Sequence, residues 1–104
     1  MNKFANHYGY SDVNPYEVVR VVSDKTIEVR AMDSELDPTW KAEWVVGGFA
    51  GQCVNQRTQR WNITSNPNYG TLRLRLGKNG VWKSADGRKF DLNDKPVRFY
   101  DYNF

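Results

Sequence analysis

A chain of 104 residues, 39% apolar and 26% charged, has material for one domain with its own core and too little for two. Its single cysteine, Cys53, and single histidine, His7, exclude an internal disulfide framework and the cysteine-rich zinc sites. The net charge is +3, no apolar run approaches the ~20 residues of a membrane helix, and the first fifteen residues lack the apolar stretch of a secretory signal, so a cytoplasmic placement is expected.

Helical periodicity is nearly absent. Residues 1–14 read as an N-terminal lead-in. Tyr16 to Val22 reads as a strand, with Pro15 just ahead of it, where a missing N–H does least harm. Ser23-Asp24-Lys25 is a polar turn. Thr26 to Met32 alternates, with Ile27, Val29 and Ala31 on one face and Thr26, Glu28 and Arg30 on the other. Asp33 to Thr39 is a loop, and Trp40 to Val46 a strand. Gly47-Gly48 and Gly51 mark a tight link. Gln52 to Thr64 holds a strand near each end and a polar turn around Gln56 to Gln59. Ser65 to Gly70 is a loop.

Thr71 to Leu76 is the second clear strand, burying Leu72, Leu74 and Leu76. Asn79-Gly80 is a hairpin signal answered by Val81 to Ser84. Asp86-Gly87 is another, answered by Lys89 to Leu92. Val97 to Phe104 reads as a terminal strand. Six to eight short strands with tight connections point to an all-β fold, a small meander barrel of SH3-like type. A two-sheet sandwich is the alternative.

The charge is unevenly spread. Residues 1–51 carry five basic and eight acidic side chains, a balance of −3; residues 52–104 carry ten and four, a balance of +6. Arg73 and Arg75 share one strand face, about 7 Å apart. A basic stripe results if Lys83 or Lys89 comes from a neighbouring strand. Arg57, Arg60, Trp61, Tyr69 and Trp82 lie in the same basic stretch, and interleaved cations and rings are how single-stranded nucleic acid is held. The plainer arrangement is that Arg73 and Arg75 pair with Glu28 or Glu43. A second candidate surface is the tail. Arg98, Tyr100, Tyr102 and Phe104 share a face there, either forming a contact patch or covered by Phe4, Tyr8 and Tyr10 of the lead-in.

Catalytic chemistry has little to draw on. His7 lies in the lead-in, Cys53 has polar neighbours and reads as a packing thiol, and Asp33, Glu35 and Asp37 lack the glycine and closing glutamate of a calcium loop. No phosphate-binding loop or hydrolase motif is present. No catalytic residue, metal or cofactor is expected.

The hairpin V-R-V-V-S-D-K-T-I-E-V-R (Val19 to Arg30) and the ending F-Y-D-Y-N-F resemble small β-proteins encoded by bacteriophages and prophages. The resemblance covers about a third of the chain, at its two ends. It carries over no catalytic residue. It implies a small accessory protein acting inside an infected bacterial cell. The first functional expectation is a non-enzymatic module that binds a protein partner and modulates a host system. The alternatives are a nucleic-acid-binding barrel and a virion component. The oligomeric state is left open.

Overall fold

A computed structural model describes residues 3–9, 11–47 and 50–102. Its strands are β1 (Phe4–Tyr8), β2 (Val13–Ser23), β3 (Thr26–Leu36), β4 (Trp44–Gly47), β5 (Ala50–Cys53), β6 (Trp61–Ser65), β7 (Thr71–Leu76), β8 (Trp82–Ser84) and β9 (Lys89–Asn93). The only helical element among the described residues is a single 3-10 turn at Gln56–Thr58. The all-β, SH3-like barrel expectation therefore holds.

Six strands close a ring in the order β2-β1-β9-β8-β7-β3, and β2 pairs back onto β3. Every pairing is antiparallel. Closure removes the exposed edges that a flat sheet of this size would leave. The period-two pattern read from the sequence selects the interior. Ile27, Val29 and Leu74 are fully buried, and Trp82 and Phe90 nearly so. Tyr16 packs edge-on against Phe90, ring centroids 5.0 Å apart.

The lead-in is a barrel strand. β1 lies between β2 and β9, with Ala5 opposite both Tyr16 and Leu92. Its sequence, FANHY, gives no alternation because its two buried residues, Ala5 and Asn6, are adjacent. Asn6 is fully buried. Its amide donates to the Lys95 carbonyl (3.1 Å) and its oxygen accepts from the Val97 N–H (2.9 Å). A polar residue there is stable because both halves of its amide are satisfied.

β3 outruns the ring. Beyond Ala31 it pairs with β6, from Met32 opposite Ser65 to Leu36 opposite Trp61. β4 and β5 form a separate ribbon. This arm makes the molecule long, 51 × 28 × 21 Å. The strand expected over Trp40 to Val46 is shorter, because residues 40–43 form a connection bonded to Asn55: Glu43 N–H donates to its side-chain oxygen (2.8 Å) and its amide donates to the Lys41 carbonyl (2.8 Å).

The terminal strand expected over Val97 to Phe104 does not form in the described part. Phe99 makes one reciprocal bridge with Val13 (3.0 Å each way). Beyond that bridge the described tail forms no ladder, and side chains satisfy its backbone instead. Gln59 brackets Tyr100, accepting from its N–H and donating to its carbonyl (both 2.9 Å). Gln56 accepts from Tyr102 N–H (2.9 Å), and Asp12 accepts from Asp101 N–H (2.9 Å).

Candidate functional site

Two tight turns set the geometry of the basic face. Gly80 (φ 79°) and Gly87 (φ 88°) sit in the left-handed region that glycine adopts without strain. The first turn places Lys83 opposite Arg75, and the second places Lys89 opposite Lys83. Around the second turn, the Ser84 hydroxyl donates to Asp86, and Arg88 N–H donates to Ser84 Oγ (3.1 Å). The Ser84 hydrogen bond outweighs the opposing effect of burial and, with the Arg88 guanidinium 3.0 Å away, holds the Asp86 carboxyl below its usual range.

Arg75, Lys83 and Lys89 thus stand in one row across three adjacent strands, all exposed. None of the ion pairs among the described residues includes them. Those pairs are Arg20–Glu28, Arg30–Glu17, Arg60–Asp37, Arg73–Glu28 and Arg88–Asp86. Beside the row lies an open groove of about 540 Å³, walled by Arg73, Arg75 and Lys83. Its lining is mainly apolar, with Leu76 and Ala85 contributing.

The structure divides the residues singled out from sequence. Arg73 is committed to Glu28 (3.3 Å), the internal pairing weighed for it, whereas Arg75 is left over. Trp82 is 8% exposed, pointing into the core while its neighbour Lys83 points out; no base or partner ring reaches its face. Tyr69 is exposed but its hydroxyl donates to Asp33 (2.8 Å), a hydrogen bond that raises its pKa. Trp61 is half-buried under the Arg98 guanidinium (4.9 Å to the ring centroid), and its indole N–H donates to Gln59 (2.6 Å). Arg60 holds the Asp37–Thr39 loop, donating to Thr39 Oγ1 (3.1 Å). Arg57 sits on the 3-10 turn. The interleaved basic-aromatic face is therefore not assembled as expected: its rings belong to the core or to other contacts, and the cations alone form the row. Lys89 completes that row. The Asp86-Gly87 turn signals its register in the sequence.

The tail cluster is partly as read. Arg98, Tyr100 and Tyr102 do meet, with Arg98 over Tyr100 (5.9 Å) and the two tyrosine rings 4.8 Å apart. Among the described residues, neither Phe4 nor Tyr8 of the lead-in makes a ring contact with them, while Asp12 and Val13 of the lead-in bond to the tail backbone. Tyr102 packs on Trp40 (5.6 Å) and Trp44 (6.2 Å) from the middle segment. Tyr10 and Phe104 lie outside the described residues. Trp40 is buried and donates its indole N–H to Thr58 (3.1 Å). Cys53 is 2% exposed, its thiol 3.4 Å from the Asn55 side-chain oxygen, more deeply packed than its polar neighbours suggest.

His7 lies against Phe90, ring centroids 5.2 Å apart. Burial, then the Arg88 charge, push its pKa below the ordinary value, with Asp86 opposing. Among the described residues, no three His, Cys, Asp or Glu side chains are grouped to hold a metal, and no helix is long and apolar enough to cross a membrane. Comparison with known proteins finds no matching family model, curated protein or solved structure.

Proposed function

We propose that this protein is a non-enzymatic binding module that receives an acidic segment of a protein partner against its Arg75–Lys83–Lys89 face. The observation that carries the reading is the row itself: three cations held opposite one another by strand register, none of them in an ion pair among the described residues. Like charges directly opposed across strands cost stability. An external anion relieves that cost, so the free barrel is primed to take one up.

Two features favour protein over nucleic acid. The groove beside the row has a mainly apolar lining, which suits a segment that mixes carboxylates with apolar side chains. Two of the three rings a single-stranded nucleic acid would stack on are engaged elsewhere, Trp82 in the core and Trp61 under Arg98, which leaves Tyr69 alone exposed. The setting implied by the phage-protein resemblance, the cytoplasm of an infected bacterial cell, gives such a module a host protein to modulate.

Fluorescence anisotropy tests the assignment. A labelled peptide alternating Glu and Leu is compared with single-stranded and duplex oligonucleotides over a range of salt concentrations. The peptide is expected to bind, and Lys83→Glu to abolish binding. Oligonucleotides binding tighter than the peptide, with the steep salt dependence of phosphate contacts, would overturn the reading.

A further inference from the structure

We infer that the acidic segment is an amphipathic helix lying across strands β7, β8 and β9, with carboxylates at i, i+3 or i+4, and i+7. This rests on the proposed function and specifies its partner. Three observations lead to it.

The first is that strand addition is closed off. β7 is flanked by β3 and β8, β8 by β7 and β9, and β9 by β8 and β1. No backbone edge is free at the row, so a partner there is held by side chains alone.

The second is spacing. Arg75, Lys83 and Lys89 are successive register partners. Neighbouring strands lie about 4.8 Å apart, so the two outer cations are separated by about 10 Å. On an α-helix, i and i+7 are about 10.5 Å apart along the axis, and i+3 or i+4 falls midway. An extended segment crossing the same strands puts its i, i+2 and i+4 side chains over about 13 to 14 Å, overshooting the row. Turned along β7, an extended segment matches the Arg73–Arg75 interval, but Arg73 is already taken by Glu28 at 3.3 Å.

The third is the groove. Leu76 and Ala85 line it together with Arg73, Arg75 and Lys83. A helix that points its acidic stripe at the row carries its apolar stripe on an adjoining face, where an anchoring side chain meets that lining.

The test uses the full chain and three synthetic peptides of identical composition, each about 18 residues, long enough for two helical heptads. One places Glu at i, i+4 and i+7 beside a leucine stripe. The second permutes the same residues so that Glu and Leu are spread around the helix. The third repeats the first order with the composition's two prolines moved from the ends to the centre, which prevents a helix. Binding is read by anisotropy and the bound conformation by far-ultraviolet circular dichroism. The striped helix is expected to bind at least tenfold tighter than the other two and to gain helicity on binding. Arg75→Glu and Lys89→Glu, at opposite ends of the row, are each expected to weaken it by a similar factor. The permuted or proline-centred peptide binding within twofold of the striped one would overturn the helical inference while leaving an acidic protein segment as the ligand. Binding of none of the three would remove both.

Discussion

Replacing Lys83 by glutamate is expected to make the barrel more stable while removing its capacity to bind. Lys83 is the centre of the row, with Arg75 opposite on one side and Lys89 on the other. In the native chain both cross-strand pairs are like-charged; in Lys83→Glu both become opposite-charged. A directly opposed pair is worth roughly 0.2 to 1 kcal/mol in either direction. All three side chains are exposed, which places the values at the low end of that range. Two reversed pairs then stabilise the fold by about 1 kcal/mol, which corresponds to a rise in Tm of about 4 to 8 °C for a domain this size. Urea unfolding followed by tryptophan fluorescence measures the change as a shift in midpoint at constant slope. Lys83→Gln, which removes the repulsion without adding attraction, should give about half the gain. The gain should shrink between about 20 mM and about 500 mM salt as the Debye length contracts. A Lys83→Glu protein that is equally or less stable at low salt would refute the register argument, because the three cations would then not be facing one another.

Asn6→Ala leaves the Val97 N–H and the Lys95 carbonyl without their buried partner, and is expected to cost about 2 to 4 kcal/mol in urea unfolding, with faster hydrogen exchange at Val97. Arg98→Ala removes the cation over Trp61 and the donor to the Val13 (3.3 Å) and Phe99 (3.0 Å) carbonyls; a loss of about 1 to 3 kcal/mol is expected, with a red shift in the tryptophan emission as Trp61 is wetted. Stability should also fall as pH drops below 6.5. Burial and then Arg88 depress the His7 pKa in the folded chain, so the unfolded chain binds the proton first; the stability His7 contributes is complete above 6.5 and is lost as pH falls through the folded value. His7→Gln should flatten that part of the profile, and an identical pH dependence in the two proteins would contradict the assignment.

The sequence carried the barrel where period-two alternation and Gly turns coincide. Ile27 and Val29 in β3, Leu74 in β7, and the turns at Gly80 and Gly87 are each readable, and together they dictate that Lys83 faces Arg75. β1 was not readable, because a strand that buries the adjacent pair Ala5 and Asn6 has no period and its pairing with β9 is decided by residues far along the chain. The tail misled for the opposite reason. Its alternation is genuine, but beyond the Val13–Phe99 bridge its backbone is bonded by side chains, and a preference for extended backbone cannot reveal that Gln56 and Gln59 will stand in as partners. Trp82 shows the limit of reading a site by composition. Its place among basic residues suggested a stacking ring, yet adjacent residues in a strand face opposite ways, so the exposure of Lys83 itself required Trp82 to be interior.

The Asn6 clasp has a bearing on how the chain reaches its native state. It joins residues 89 positions apart, and the strand carrying it, β1, lies beside β9. Synthesis therefore delivers one of the ring's two closing surfaces, β1, well before the other, β9, which lies more than eighty residues further along the chain. Until then β1 can form its hairpin with β2, but its opposite edge stays bare. Loop closure over such a span is slow compared with local hairpins. The nascent polypeptide thus passes through an interval with an unsatisfied border, during which a chaperone, or another unfinished copy, has its best opportunity to engage it.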